Sequence, residues 1–411
     1  MKFLLGNDQG NEINSSHIDV LDGIRALAVL IVVWFHIWQQ TWIIPAVQTP
    51  ALSFLGIDSI NLDWLPRTGY MMVTMMIFLS GFCLYLPYAR HEGNNGPGPS
   101  VKQFYRNRVA RIVPSYLFSI IVVLIYDIYN CSYTDSGFIM KDNPSFMTKD
   151  ILSHLTFTFN LFPDVSGNTL LNGVLWTIAL EVQFYILFPL IQKFFEKQPV
   201  ATYIIMNGIS YIYTQFATSD PDGNLGFLLH QLPSYLSVYA NGFMGAIIFV
   251  NIARRFRRDN YIGIISTITS FGCIYVYRMM MLDLASAENL NIWQIENRYA
   301  VSILFLVFVI STSLSLSWYR FIFSNKLMRF LSTISFNLYI WHQFLCTAFK
   351  KNRIPYYEGD QYPNEIGDTV WMWKLFLLSF AASFAMAVAA TYLIEKPLAK
   401  ILRGTKKDKM N

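Results

Sequence analysis

Leu21-Asp22-Gly23-Ile24-Arg25-Ala26-Leu27-Ala28-Val29-Leu30-Ile31-Val32-Val33-Trp34-Phe35-His36 decides the architecture. The stretch opens on charged groups, runs from Ala26 to Phe35 without one, and closes on a histidine. A window of that apolarity and length crosses a hydrocarbon core as a helix. At roughly 100° per residue, Arg25 and His36 return to nearly the same face, separated by a rise of about 16 Å. Arg25 therefore belongs at one interface and His36 near mid-membrane. An ionisable side chain is costly there and marks either a function or a buried hydrogen bond.

Comparable windows begin near Thr68, Ile112, Leu170, Pro199, Leu225, Tyr261, Tyr299, Phe330 and Leu375. With the first, near Ala26, they predict an all-α polytopic transmembrane bundle of about ten spans. Composition agrees: the 411 residues are 54% hydrophobic and only 14% charged, against roughly a quarter charged in soluble domains. The segment Met1 to His17 is polar after its first five residues and lacks a small-residue cleavage site, so the first span itself serves as the insertion signal. Loops rich in Lys and Arg stay in the cytoplasm. Most of the 31 basic residues fall on one side if both termini are cytoplasmic, in clusters such as Arg106/Arg108/Arg111, Arg254/Arg255/Arg257/Arg258 and Lys400/Arg403/Lys406/Lys407. The expected location is the cell (plasma or inner) membrane, multi-pass.

The net charge of +5 is thus a topology signature, and no basic run interleaved with aromatics suggests nucleic acid. Cys83, Cys273 and Cys346 lie in predicted spans and Cys131 in an outer loop, a pattern with neither a disulfide framework nor a metal site. His91 to Ser100 reads as a flexible inner turn. No loop is long enough for a second domain, and no internal repeat argues for a transporter of inverted halves. The expected division is a cytoplasmic segment 1–22, a transmembrane catalytic domain 23–397 and a basic cytoplasmic tail 398–411.

Four places carry potential chemistry. A neutral imidazole accepts a proton from a hydroxyl at physiological pH, which qualifies His36 as a general base; the plainer reading is a helix-packing hydrogen bond. Glu181, alone among charged residues in its window, is expensive in a membrane unless paired, protonated or wet. Its depth allows it to orient His36 as the third member of a triad would, or to bridge two helices structurally. Arg108 and Arg111 are three apart and neighbours on a helix; guanidinium pairs suit phosphate oxygens, although such clusters also serve as the positive-inside signal. Ser335, Tyr339 and His342 share one face, so His342 is either an acceptor contact, a second catalytic group or a satisfied buried histidine. His230 is a weaker acceptor contact, and Glu395-Lys396-Pro397 reads as a helix stop beside a local ion pair.

Together these segments resemble the acyltransferase-3 family of integral membrane acyltransferases, from the first span through Pro397. The matching elements are Leu21-Asp22-Gly23-Ile24-Arg25 with ten residues before His36, Phe78-Leu79-Ser80-Gly81-Phe82, Arg108-x-x-Arg111-Ile112-Val113-Pro114-Ser115-Tyr116, Trp176 to Tyr185, Ser335 to His342, and Glu395-Lys396-Pro397. The resemblance implies an O-acyltransferase that takes an acyl group, acetyl by default, from cytoplasmic acyl-CoA to a hydroxyl of a cell-envelope carbohydrate. No metal is implied. It makes Arg25 and His36 the catalytic pair of the first span, gives Arg108 and Arg111 to the acyl-CoA side, and makes Glu181 important. The site expected on these grounds has His36 and Glu181 as catalytic residues, Arg25, Arg108 and Arg111 on acyl-CoA, Trp176, Gln183, Tyr339 and His342 at the acceptor or pocket, and Trp176, Tyr185 or Asn337 as the oxyanion donor. Val182 departs from the family, which often has a second Glu there. Some members carry a fused extracytoplasmic hydrolase-like domain, absent from this sequence, so transfer is expected within the membrane or with a separate partner. The rival reading is a polytopic transporter of a sugar or lipid-linked sugar in which His36 and Glu181 relay protons.

Overall fold

The computed structural model describes residues 18–43, 46–56, 58–62, 64–91, 100–129, 143–219, 223–255 and 260–404. The readings made for Met1 to His17, most of the His91 to Ser100 turn, Cys131, Arg257, Arg258, Lys406 and Lys407 lie outside them. Ten long helices follow the ten apolar windows in order: α1 (Asp19–Thr41), α2 (Gly69–His91), α3 (Val101–Tyr129), then after the short α4 (Pro144–Leu155), α5 (Trp176–Lys197), α6 (Pro199–Thr218), α7 (Leu236–Arg255), α8 (Asn260–Ser286) and α9 (Leu290–Leu314). After the short α10 (Ser317–Ser324) come α11 (Lys326–Lys351) and α12 (Thr369–Ala389), and the chain ends in α13 (Lys396–Arg403). Among the described residues eight helical segments are long and apolar enough to cross a membrane. The helices α6 and α11 fall outside that set because their sequences mix Tyr, Asn, Gln, His and Lys among the apolar residues.

The exterior shows which solvent the fold was built for. Ile204, Ile205 and Ile212 on α6, and Ile265, Ile268 and Phe271 on α8, are exposed. A water-soluble chain would bury such rows; hydrocarbon makes no such demand. Helices then associate through close packing and interhelical hydrogen bonds rather than through the hydrophobic effect. Asn241 on α7 donates to Ser302 Oγ on α9 at 2.6 Å and accepts from Tyr203 on α6 at 2.7 Å.

Helix α1 is central, packing on α2, α10, α11 and α12. A Cβ on Gly23 would lie 2.0 Å from the Phe323 carbonyl oxygen, so this glycine is what lets α1 and α10 meet backbone to backbone. The α2–α7 crossing uses the same device, since a Cβ on Gly242 would lie 2.6 Å from the Phe78 carbonyl oxygen. On one side of the bundle Ala46–Gln48 pairs antiparallel with Ser59–Asn61.

One local expectation is corrected. Glu395-Lys396-Pro397 does not stop a helix: Ala390–Glu395 forms a π-turn that passes directly into α13, with Pro397 in the first turn where its missing N–H costs nothing. Nor is the nearest partner of Glu395 its neighbour Lys396, because consecutive helical residues do not face each other. Glu395 accepts from Asn337 Nδ2 at 2.7 Å, while the Lys396 ammonium lies 3.9 Å from the Tyr392 ring centroid.

Candidate active site

A cavity of about 350 Å³ opens between α1, α2, α3, α5 and α11, within the size range of small-molecule sites. The fold brings Arg25 to it from α1, Arg90 from α2, and Arg108 and Arg111 from adjacent turns of α3. Four guanidiniums face two carboxylates there, Asp22 and Glu181, so the cavity attracts anions. Arg25 reaches Cys83 Sγ at 3.6 Å and Asp22 at 3.8 Å. The Arg108 guanidinium lies 5.1 Å from the Tyr185 ring centroid and 5.4 Å from that of Phe104, and its Nε is buried without a partner. A guanidinium held on two aromatic rings and short of acceptors is prepared for an oxyanion. Arg106, named in the same basic cluster, turns away and donates to the Leu402 and Arg403 carbonyls.

Glu181 takes its hydrogen bonds from Ser80 Oγ, at 2.6 Å, and from the hydroxyl of Tyr185 one turn along α5. That corrects the expected contact with His36. The carboxylate lines the arginine cavity, whereas the partner of His36 is His342: Nδ1 of the first lies 2.7 Å from Nε2 of the second. No direct hydrogen bond joins His36 to Glu181. Depth made the two residues look adjacent; helix rotation points them at different neighbours.

The histidine pair has an assignable proton arrangement. The two rings lie 2° from parallel with centroids 4.9 Å apart, and nitrogens 2.7 Å apart at that centroid distance mean that they meet edge to edge. His342, fully buried, also places Nδ1 2.6 Å from the Tyr339 carbonyl oxygen. A carbonyl only accepts, so neutral His342 carries its proton on Nδ1 and presents a bare Nε2. His36 must then donate from Nδ1, which leaves the Nε2 lone pair of His36 free. His36 is half-buried.

Tyr339 connects the two halves of the site. Its hydroxyl accepts from Thr177 Oγ at 3.0 Å, both residues line the arginine cavity, and its ring centroid is 5.6 Å from that of His342. Arg25 and Val29 also line the cavity, and His36 shares their face of α1, about 10 Å beyond Val29 along the axis.

The remaining assignments divide. Ser335 lines the cavity with Tyr339, as their shared helix face requires. Gln183 does not: about 200° round α5 from Glu181, it donates to the Phe157 carbonyl at 3.0 Å and to Asn160 at 2.7 Å, holding a loop. Trp176 also lies off the cavity and packs on His230, with centroids 4.1 Å apart. Burial, followed by the charge of Arg298, lowers the His230 pKa to about 4. Asn337 is committed to Glu395 and Thr391, and Tyr185 to Glu181, so neither is a free oxyanion donor. Ser80, Cys83 and Arg90 were missed; the only sequence signal for Ser80 was its place in Phe78-Leu79-Ser80-Gly81-Phe82. Among the described residues no group of three or more His, Cys, Asp or Glu is placed to hold a metal.

An arginine-lined cavity, with Tyr339 on its wall and an oriented histidine pair next to Tyr339, is set among the long apolar helices of a polytopic membrane protein. Comparison with known proteins supplies the family: an acyltransferase domain of the acyltransferase-3 type matches residues 18–396, and the chain belongs to that family. It is a multi-pass membrane protein whose spans make up an acyltransferase domain. Similar proteins include one provisionally named an acetyltransferase in Acidianus two-tailed virus, 22% identical over 78% of this chain and 80% of its own length. Another, provisionally named an O-acetyltransferase in Staphylococcus aureus strain COL, is 23% identical over 83% of this chain and 53% of its own length. The peptidoglycan O-acetyltransferase OatA of Listeria monocytogenes is 23% identical over 93% of this chain and 56% of its own length. The chain thus spans about half the length of the last two. No solved structure matches.

Proposed function

We propose that the protein transfers an acyl group, acetyl in the simplest case, from a coenzyme A thioester to a hydroxyl of an envelope carbohydrate, with His36 as general base. The observation that carries this reading is the chain from the Tyr339 carbonyl through His342 to His36, because it leaves the unprotonated Nε2 of His36 as the terminal group. The donor phosphates bind among Arg25, Arg108 and Arg111, and the thioester extends past Tyr339. The acceptor hydroxyl gives its proton to His36 Nε2 as its oxygen attacks the thioester carbonyl. Collapse of the tetrahedral intermediate breaks the C–S bond and releases coenzyme A as a thiolate; a thiol of pKa near 8.5 leaves with little acid assistance. His342 accepts the Nδ1 hydrogen bond of the imidazolium and so stabilises the charge as it forms, the part the buried acid plays in a triad. Glu181, held by Ser80 and Tyr185 beside the arginines, shapes the donor cavity rather than the base. The carbohydrate acceptor is favoured by the Listeria relative, whose name specifies peptidoglycan.

The test is transfer of label from acetyl-CoA into envelope polysaccharide in membranes carrying wild type, His36→Ala or Arg108→Ala at equal protein levels. Label in wild type that disappears with His36→Ala is the expected result. Equal label in all three removes His36 from the reaction, and no label in any removes acetyl-CoA as the donor.

A further inference from the structure

A second cavity, of about 420 Å³, lies between α6, α7 and α9, away from the arginine cavity. Its distinctive wall residue is Arg298, 1% exposed in the first turns of α9. One edge of that guanidinium is used: Nη1 donates to the Leu229 carbonyl at 3.0 Å and to Ser234 Oγ at 2.6 Å, and the group lies 3.9 Å from the Tyr235 ring centroid. The other edge is not: Nε and Nη2 are both buried and neither has a hydrogen-bond partner. Those two N–H groups form the parallel fork that meets a carboxylate or phosphate bidentately. Leaving both unpaired inside the protein costs the desolvation of a charged donor, so the arrangement calls for an oxyanion.

The rest of the wall suits more than a bare anion. Asn207 presents a buried Oδ1 that has no donor, and Thr214, Gln215, Ser237 and Tyr299 add hydroxyls and an amide. The carboxylate of Glu296, which also lines the cavity, belongs to an exposed residue and forms no ion pair with Arg298. An unmet acceptor and an unmet cationic fork among the wall residues of one cavity fit a ligand that carries both a hydroxyl and an oxyanion. The position is relevant to the reaction. Gln294, one turn before Arg298, donates to the Tyr70 carbonyl at the start of α2, so this cavity lies toward the end of the bundle at which α1 finishes after His36. From Arg298 the path to the histidines runs over Tyr235 to Trp176, 6.2 Å apart, and then to Thr177, which bonds Tyr339.

We propose that the Arg298 cavity is a separate binding site for an acidic carbohydrate, with the sugar's carboxylate or phosphate on the Nε/Nη2 fork and a hydroxyl on Asn207 Oδ1. The carbohydrate class rests on the function proposed above; the oxyanion requirement does not. The experiment uses the full chain in zwitterionic phosphatidylcholine nanodiscs without acyl-CoA, and follows thermal unfolding against glucuronate and against glucose. Because the readout is binding, loss of acyl transfer leaves the result intact, and failure of binding leaves the His36 mechanism intact. Glucuronate is expected to protect at concentrations at least about tenfold lower than glucose, the scale of one charged hydrogen-bond pair. Arg298→Gln removes the difference, and Asn207→Leu weakens protection by both sugars. Because Arg298 also anchors the Leu229 to Ser234 turn, Thr214→Val and Asn207→Leu, which leave that anchor in place, decide the matter if Arg298→Gln does not fold. Equal protection by the two sugars, or unchanged glucuronate binding in both wall variants, overturns the proposal. So does loss of glucuronate binding in nanodiscs containing phosphatidylglycerol, which assigns the cavity to a lipid headgroup instead.

Discussion

His36 and His342 are identical side chains to which the proposed mechanism gives different work, and substitution should separate them. Removing the proposed base, His36→Ala, is expected to lower kcat by about 10²–10⁴-fold, the usual contribution of a positioned proton acceptor. His342→Ala leaves Nε2 of His36 in place but no longer selects its tautomer or shares the imidazolium charge. Its loss should fall mainly on kcat and be smaller than that of His36→Ala, with the KM for acetyl-CoA unchanged; steady-state kinetics of both variants in proteoliposomes check this, and a KM effect alone would deny the relay. At His230 the sign of the pH dependence follows from burial. A histidine whose pKa is held down at about 4 takes up its proton in the unfolded chain first, near pH 6.5. Stability from this residue is therefore complete above about pH 6.5 and declines as pH falls toward 4. Thermal unfolding across that window should show a shallower acid loss for His230→Gln than for wild type.

Between elements, contacts of backbone on backbone set the tolerances. A methyl group at Gly23 would have to displace the Phe323 carbonyl on α10, and one at Gly242 the Phe78 carbonyl on α2. Neither neighbour is the free end of a flexible side chain, so Gly23→Ala and Gly242→Ala should each cost about 1–3 kcal/mol, as overpacking does. Gly208 and Gly272, whose Cβ positions are open, supply the control: alanine there should leave the unfolding midpoint unchanged or raise it. Equal midpoints for all four variants in detergent would mean that the close approaches carry no stability. The link from α5 to α11 is different in kind. Thr177 and Tyr339 meet through one hydrogen bond at the wall of the arginine cavity, so Thr177→Val, nearly isosteric, should alter acyl-CoA handling more than folding if that cavity holds the donor as proposed.

On the scale of the whole molecule, charge organises both binding and insertion. The donor capture proposed for the clustered arginines weakens with ionic strength, so the KM for acetyl-CoA should rise with salt in wild type and depend less on salt in Arg108→Gln and Arg111→Gln. The proposed orientation puts the α5–α6 connection in the cytoplasm and the α11–α12 connection outside. In a Cys131→Ser background, an impermeant thiol reagent applied to intact cells should label Glu365→Cys but not Glu196→Cys until the membrane is permeabilised. Both positions are exposed. The reverse pattern would invert the topology.

The amino-acid sequence by itself determined the helical bundle and the order of its ten long helices. It also placed Arg25 on the face of His36, Arg108 beside Arg111, and Ser335, Tyr339 and His342 on one face of α11. These are consequences of apolar run length and of 3.6-residue periodicity, which act along one helix and need no neighbour. What one helix meets on another was decided only in three dimensions. Glu181 shares a depth with His36, but rotation of α5 turns it to Ser80 and Tyr185; His342, more than 300 residues away in the chain, becomes the partner of His36 because α1 and α11 pack together. The unpaired edge of Arg298 was equally out of reach of sequence reading, since an arginine at a helix end looks the same whether lipid, water or a buried cavity receives it. Periodicity fixes the direction of a side chain around its own axis; rotation and offset between axes come from close packing and from glycine contacts such as Gly23 on Phe323, so partners across helices are a property of the assembled bundle.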